Sequence, residues 1–336
     1  MVTARLCPCD RVPVSKAPGA VAVCGAASRF VQVTESPTFT VTAAGWKRKP
    51  SIATAADAAS DALELSRTHA TVDRAIAMRA IASRRAARTI GHVPPISAPF
   101  AALARDASQI GVALSDAQLA SCERLARELI ERNTKVNLTA ITDPSGIALK
   151  HFLDSFTALA ARRWTGQERV VDVGSGAGFP GLALRIALPG SSVALVESVG
   201  KKCRWLEEIS ATLDLDRVAV HNARAEALGT DRTHRGRYDV GTARAVGSLA
   251  VCLEYLVPLL AVGGDAIVWK GQVDLELPAA RQAAAALGAE LTAVVPTSSI
   301  GAGELLPGRH LVVVRKTAPT PLRFPRTSAE MKRRPW

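Results

Sequence analysis

The spacing of apolar residues changes at about residue 100. After it, a helix is predicted to begin at the capping residue Ser115, and a second helix follows Asp143-Pro144. Their apolar faces consist of residues at helical spacing: Leu119, Leu125, Leu129, Ile130, Phe152, Phe156 and Leu159. The second helix places His151, Asp154 and Ser155 on another side. We predict a small helical cap over residues 101–165.

Beyond Arg169, short apolar runs alternate with helical patterns. The runs predict seven strands, at 169–173, 192–197, 217–220, 238–243, 264–269, 291–295 and 310–315. Such alternation is typical of a mainly parallel sheet covered by helices on both faces. The last two strands follow each other without a clear helix, which predicts one antiparallel strand at the end. The sequence therefore predicts an α/β domain over residues 166–316.

Both ends of the chain lack this periodicity. Residues 1–100 are rich in Ala, Ser, Thr, Arg and Pro and predict disorder or weak local helix. An export leader, an organelle transit peptide and a true start near Met78 are alternative interpretations of that segment. Lysines and arginines dominate the sequence after Arg315, where Glu330 is the one acid. We predict an unfolded basic tail over residues 317–336.

The amino-acid composition indicates the kind of partner and the cellular compartment. The net charge of +12 suggests a polyanionic partner, most simply nucleic acid. The six cysteines form no C-x-x-C pair and stand near no histidine at ligand spacing, which indicates a reduced protein without structural zinc or another metal. The longest apolar stretch, 246–262, is interrupted by Glu254 and Pro258 and predicts an amphipathic helix, not a membrane span. We expect a cytoplasmic monomer.

The segment RVVDVGSGAGFPG, residues 169–181, carries the strongest chemical signal. A β-branched run leads into glycines at 174, 176 and 178, and Pro180 suits the first turn of a following helix. Glycines let the backbone turn sharply and bring its N–H groups to a ligand, and the helix start adds partial positive charge. The segment predicts a nucleotide-binding loop.

Two cofactors compete for this loop. The spacing G-x-G-x-x-G from Gly176 to Gly181, with Glu197 about twenty residues on, fits a nicotinamide dinucleotide. The spacing G-x-G-x-G from Gly174 to Gly178 follows Asp172, an acid that would suit the amino group of S-adenosylmethionine. Because the first strand of a dinucleotide site is normally apolar, we favour a methyltransferase. An NAD-dependent oxidoreductase and a non-catalytic RNA-binding protein remain the alternatives.

Further candidates follow the other predicted strands, since ligands of open α/β sheets bind at the carboxyl ends of strands. Glu197 could accept the ribose hydroxyls or cap the helix at Gly200. The segment 224–226 could read an adenine, with a simple capping acid as the alternative. Arg244 and Lys270 would face an anionic substrate if they are more than solvated surface charges.

The absence of certain motifs excludes several types of methyl transfer. No (D/N/S)-P-P-(Y/F) signature of amine methylation follows the fourth strand, and Cys252, the nearest cysteine, lies in a predicted helix. No Ser-His-Asp set is evident. The remaining chemistry is transfer to an atom that is already nucleophilic, such as a purine ring nitrogen, where positioning and electrostatics suffice.

A set of short motifs recurs in order along the chain. They are residues 137–141, 143–144, 151–155, 172–181, 197–202, 224–226, 242–245, 270–271 and 309–312. From about Gly111 to Lys316 this series resembles the bacterial small-subunit ribosomal RNA guanine-N7 methyltransferase family, also called RsmG or glucose-inhibited division protein B. Arg132 departs from the family, which usually has tryptophan there, and residues 1–100 have no counterpart in it.

The resemblance implies a class I S-adenosylmethionine-dependent methyltransferase with a Rossmann-like sheet. Its expected substrate is one guanine N7 in 16S ribosomal RNA, guanine 527 in the usual rRNA numbering, either in naked RNA or in the 30S subunit. The cofactor residues would be Gly174, Gly176, Gly178, Phe179, Glu197, Ala225, Glu226 and Arg244. Arg244 and Lys270 would be catalytic, and Lys201, Arg224 and Lys270 would contact RNA.

Overall fold

The computed structural model describes residues 96–336 and three short strands, β1 (Val21–Cys24), β2 (Phe30–Val33) and β3 (Thr42–Ala44). The chain divides into two compact units, residues 1–90 and 91–336. In the first unit, β2 pairs antiparallel with both β1 and β3. These strands correct the prediction of disorder or weak helix at their positions. In β1 and β2, the valines and Phe30 favour extended backbone. The rest of that prediction lies outside the described residues.

The second unit begins with helices. These are α1 (Ala98–Gln109), α2 (Asp116–Asn133), α3 (Pro144–Ile147), a π-helical turn (Ala148–Leu153) and α4 (Asp154–Ala161). The predicted cap of α2 is confirmed: Ser115 Oγ accepts a hydrogen bond from Gln118 N, and Gln118 Oε1 accepts one from Ser115 N. The rings of Phe100, Phe152 and Phe156 are fully buried and anchor these helices.

A seven-stranded sheet follows. Its strands are β4 (Arg169–Val173), β5 (Ser192–Glu197), β6 (Val218–Asn222), β7 (Tyr238–Arg244), β8 (Leu260–Lys270), β9 (Ala289–Pro296) and β10 (His310–Lys316). The order is β6-β5-β4-β7-β8-β10-β9, with parallel pairing from β6 to β8 and antiparallel pairing of β10 with both neighbours. The predicted mainly parallel sheet with one antiparallel strand is confirmed.

Five helices connect the strands: α5 (Gly181–Ala187), α6 (Gly200–Thr212), α7 (Ala225–Thr230), α8 (Leu249–Leu256) and α9 (Leu277–Leu287). Neighbouring residues of one strand belong to different cores, since side chains alternate across a sheet. Val170 packs in the core that contains Leu206 of α6, whereas Val171 packs in the core that contains Leu253 of α8. The central strand β4 is therefore buried on both faces, as is typical of parallel sheets.

The C-terminal residues are folded, which corrects the prediction of an unfolded tail. A helix, α10 (Ser328–Arg333), begins at Thr327 with a capping box to Glu330. Arg326 forms an ion pair at 2.7 Å with the fully buried Glu254 of α8, and the indole of Trp336 donates to the same carboxylate. The basic composition of the segment predicts a solvated tail. The structure differs because Arg326 and Trp336 are the hydrogen-bond partners of the buried Glu254.

Lys316 is also part of the fold, although the sequence groups it with the basic tail. Its side chain is buried, and Nζ donates to the carbonyls of Val257 and Leu260 at 2.9 and 2.7 Å. Burial, with Arg235 nearby, lowers the pKa of Lys316 to about 8. The predicted helix over 246–262 is shorter than expected, since β8 already begins at Leu260. None of the helices in the described residues is both long and apolar enough to cross a membrane.

Candidate functional site

The glycine loop connects β4 to α5 in backbone conformations that favour glycine. Gly174, Gly176 and Gly178 have φ angles of 72, 55 and 107°. A Cβ atom on Gly174 would lie 2.6 Å from a methyl carbon of Val246, and one on Gly178 would collide with Leu182. The loop therefore depends on glycine at these positions. The sequence predicts that Pro180 lies in the first turn of the helix, but α5 begins at Gly181 and Pro180 is the capping residue before it.

Asp172 lies beneath this loop and does not face the cavity. It is 1% exposed, and its carboxylate accepts hydrogen bonds from Thr242 Oγ1 at 2.8 Å and from Gly181 N at 3.2 Å. Burial raises its pKa to about 6. The expectation that Asp172 meets a cationic ligand directly is wrong, since the side chain is buried and does not line the cavity beside the loop. It links β4 to β7 and to the start of α5.

Glu197 supports the same loop from the neighbouring strand. Its two oxygens accept hydrogen bonds from Gly176 N at 3.1 Å and from Val199 N at 2.8 Å, where α6 begins. The side chain is buried. These bonds agree with the helix-capping interpretation and add a contact to the glycine loop. Its contact with a ribose stays a prediction.

A cavity of about 540 Å³ opens beside the loop. Its walls are formed by residues 138–141, the π-helical turn, the glycine loop and the ends of β7 and β8. The cationic residues that line it are Lys150, Lys202, Arg244, Lys270 and Arg309. Among the described residues, no Asp or Glu lines this cavity. The site is therefore suited to an anionic ligand.

Arg244 is fixed at the end of β7. Its guanidinium donates from Nη1 to Asp154 Oδ2 at 2.7 Å and to the carbonyl of Lys150 at 3.1 Å. Nη2 lies 3.3 Å from His151 Nδ1. The helical cap thus holds the arginine in place, and Asp154 supplies a carboxylate with no solvent exposure. Arg244 lies in the site as predicted, and its partners on the helical cap come from a part of the chain about 90 residues earlier.

His151 forms one side of the cavity as a neutral ring. It stacks on Phe179 with centroids 4.7 Å apart and planes 16° apart. Burial, together with the charge of Arg244, lowers the pKa of His151 to about 4. Since Nδ1 faces a guanidinium donor, we assign the proton to Nε2, which lies 2.9 Å from Thr139 Oγ1. His151 therefore joins the cap to the glycine loop.

The loop that carries Thr139 is held by Asn133 at the end of α2. The Asn133 side-chain oxygen accepts from the backbone N–H groups of Leu138 and Thr139, and its nitrogen donates to the Thr139 carbonyl. The adjacent Arg132, where the family usually has tryptophan, forms an ion pair with Glu208 of α6. The departure at Arg132 therefore replaces an aromatic residue with a charged link to the main domain.

Lys270 reaches the same cavity from the end of β8. Its Nζ lies 2.7 Å from Glu276 Oε1 and donates to the Gly247 carbonyl at 3.1 Å. The structure thus brings together the two predicted catalytic cations, Arg244 and Lys270. Whether they act in catalysis stays a prediction.

Other predicted residues lie away from this cavity. Lys201 is exposed on α6, and its neighbour Lys202 lines the cavity instead. Arg224 is exposed where α7 begins. Ala225 is buried, and the carboxylate of Glu226 accepts a hydrogen bond from Ser328 of the C-terminal segment at 2.5 Å. Ala225 and Glu226 line no part of the cavity described above, so their cofactor role rests on the resemblance.

The site also contains several residues that are not among the predicted ones. These are Lys150, His151, Asp154, Lys202, Trp269 and Arg309. The polar side predicted for the second helix, with His151 and Asp154, was the available signal. The π-helical turn could not be predicted from a helical spacing of 3.6 residues. Among residues 96–336, no three His, Cys, Asp or Glu side chains come together to hold a metal ion.

Comparisons with known proteins identify the family of this chain. A family model described as rRNA small subunit methyltransferase G matches residues 118–311, which include the cap from α2 onward, the glycine loop and Arg309. A protein of Roseiflexus castenholzii called ribosomal RNA small subunit methyltransferase G is 46% identical over 235 residues, 69% of this chain and 98% of the relative.

Two further relatives carry the same name. The protein of Chloroflexus aggregans is 43% identical over 230 residues, 67% of this chain and 93% of the relative. The protein of Alkaliphilus oremlandii is 36% identical over 238 residues, 69% of this chain and 97% of the relative. The resemblance drawn from the motifs is confirmed, and the chain belongs to the rRNA small subunit methyltransferase G family.

Proposed function

We propose that this protein transfers a methyl group from S-adenosylmethionine to N7 of one guanine in 16S ribosomal RNA. The observation that carries the proposal is the family match, which spans both the glycine loop and the cationic cavity. The cavity volume, about 540 Å³, lies within the range of roughly 300–1,000 Å³ that small-molecule sites occupy. Gly174–Phe179 is the segment that would hold the cofactor.

The residues of the cavity fit transfer to a ring nitrogen. When bound, the cofactor supplies an electrophilic methyl group on a sulfonium. A purine N7 has a free lone pair and loses no proton, so the site needs no general base. His151 is neutral, and its Nδ1 is occupied by Arg244. Burial raises the pKa of Cys252 to about 11, so this thiol beside the cavity is a poor nucleophile.

The cations of the site fit binding of an RNA backbone. We propose that Lys270 and Arg244 act from inside the cavity, and that the exposed Lys201 and Arg224 contact phosphates outside it. Phosphate contacts fix the position of the RNA, and the target guanine must leave its stack to enter the cavity. We further propose that the protein works as a monomer in the cytoplasm.

The test is methyl transfer from labelled S-adenosylmethionine to purified 30S subunits and, separately, to naked 16S RNA, with mapping of the modified base. We expect one N7-methylguanine. Arg244→Ala lowers the rate, whereas Arg281→Ala, which removes an exposed arginine of α9, leaves it unchanged. Absence of transfer to both substrates by the unaltered protein would refute the proposal. The comparison of substrates also decides which one the enzyme uses.

A binding experiment separates the oxidoreductase alternative. We expect S-adenosylhomocysteine to bind and NAD not to bind, measured by titration calorimetry on the same preparation. Binding of NAD without S-adenosylhomocysteine would favour an oxidoreductase. Measurable turnover on ribosomal RNA would exclude a purely RNA-binding role.

A further inference from the structure

Asp154 connects the helical cap to the ends of three strands. Its Oδ2 accepts from Arg244 at the end of β7. Its backbone carbonyl accepts from the indole of Trp269, near the end of β8, at 2.7 Å. Its Oδ1 lies 3.4 Å from Nε of Arg309, the residue before β10. One carboxylate without solvent exposure thus faces two arginines of the cavity.

The two arginines differ in how firmly they are held. Arg244 donates to two oxygens and lies beside a ring nitrogen, and its side chain is 11% exposed. The Arg309 side chain is 37% exposed and makes no hydrogen bond within the described part of the chain. The Oδ1 atom that it faces is buried and likewise has no hydrogen-bond partner among the described residues. Arg309 is therefore held by charge alone, with its donors available to a ligand.

The charges around Asp154 do not balance. One carboxylate faces two guanidinium groups, and the residues that line the adjacent cavity in the described structure include no acid. An anion would complete the cluster, and a guanidinium binds phosphate oxygens well because its donors form a planar fork.

The position of Arg309 favours an RNA phosphate over the carboxylate of the cofactor. In the sheet order, β7 and β8 separate β10 from β4, which carries the glycine loop. Three strand spacings of about 4.8 Å place the ends of β4 and β10 about 14 Å apart. The backbone of Arg309 therefore lies on the side of the cavity away from the loop that would hold the cofactor, and its side chain extends from there to Asp154.

We propose that Arg309 binds a phosphate of the RNA beside the target guanine, and that Asp154 is the positioning residue that holds Arg309 next to Arg244. This inference rests on the proposed function and names a contact of the same site. Asp154 acts through the arginines and does not touch the RNA.

The test compares RNA affinity over a range of salt concentrations. Naked 16S RNA is titrated with the full chain, with Arg309→Gln and with Arg309→Lys, and Arg281→Gln serves as the control for charge. Loss of one phosphate contact lowers the slope of log K against log salt by about 0.7–0.9 and weakens binding about tenfold. We expect this for the glutamine variant only, with unchanged affinity for S-adenosylhomocysteine.

Asp154→Asn tests the positioning role. We expect it to raise the KM for RNA more than it lowers kcat. Its effect on the salt slope should be smaller in the Arg309→Gln background, because only its effect through Arg244 remains there. An equal effect in both backgrounds would contradict positioning of Arg309.

Two results would overturn the phosphate contact. One is an unchanged salt slope in Arg309→Gln; the other is weaker S-adenosylhomocysteine binding with unchanged RNA binding. Methyl transfer by the unaltered chain is measured in parallel. If that chain methylates RNA and the slope does not change, this inference fails and the proposed function stands.

Discussion

Removal of Arg326 tests how far the C-terminal segment stabilises the domain. Glu254 has no exposed surface, and Arg326 donates to it from Nε at 2.8 Å and from Nη2 at 2.7 Å. The Arg326 backbone N–H and the Trp336 indole donate as well. Burial alone would raise the pKa of Glu254, but the hydrogen bonds from Arg326 and Trp336 outweigh it and lower the pKa. Arg326→Ala leaves a buried carboxylate without its countercharge.

The expected cost follows from that burial. Breaking a buried ion pair on one side costs about 3–5 kcal/mol, whereas replacing both partners by apolar residues is often neutral. Domains are typically stable by only about 5–15 kcal/mol, so Arg326→Ala removes a large share of the free energy of unfolding. The paired change Glu254→Leu with Arg326→Met should recover most of it.

Urea unfolding of both variants measures the effect. With an m-value of about 3 kcal/mol/M, we expect the midpoint to fall by roughly 1–1.7 M in Arg326→Ala at unchanged m. Arg333→Ala removes an exposed arginine of α10 and should stay within about 0.5 kcal/mol of the unaltered protein. A midpoint in Arg326→Ala equal to that of Arg333→Ala would refute the reasoning, as would a paired variant no more stable than Arg326→Ala.

Three further outcomes are expected. Gly174→Ala places a methyl group against Val246 and should weaken S-adenosylhomocysteine binding at least tenfold, measured by calorimetry. Gly111 is also at positive φ, but a Cβ atom there would have no atom within 4 Å, so Gly111→Ala should leave binding unchanged. Equal losses of affinity in the two variants would contradict the steric argument. His151 should titrate near pH 4 by NMR. Because the unfolded chain binds that proton near pH 6.5, the contribution of His151 to the free energy of unfolding should fall as pH drops from 6.5 to 4. The difference between the unaltered chain and His151→Asn measures this contribution. Lys270→Ala should lower kcat/KM for RNA about tenfold without changing S-adenosylhomocysteine affinity, as expected for a lost charged contact; an unchanged rate would remove Lys270 from the RNA contacts.

The sequence predicts the sheet well where strands are buried on both faces. The bounds of β4 and β5 agree with prediction to the residue, because their runs are continuous and β-rich. The start of β8 was missed by four residues, since Gly263 and Gly264 interrupt its apolar pattern. Local patterns therefore define the sheet interior better than its irregular strand ends.

The site was predicted less completely than the sheet. The residues that follow strands, such as Arg244 and Lys270, were found because topology alone brings strand ends together. Asp154 and Arg309 are 155 residues apart in the sequence and meet only through tertiary packing. The rotation of α6 about its axis places Lys202, not Lys201, at the cavity. The burial of Asp172 could likewise not be predicted from the sequence, because its hydrogen-bond partners Thr242 and Gly181 belong to two other elements.

The place of β10 in the sheet makes the fold sensitive to truncation. β9 precedes β10 in the chain but pairs only with β10, which itself pairs with β8. A chain cut before His310 would lose the pairing of both strands and leave the 11 residues of β8 as an open edge. Long unpaired edges recruit strands from other molecules. Such a fragment would aggregate instead of forming a smaller enzyme.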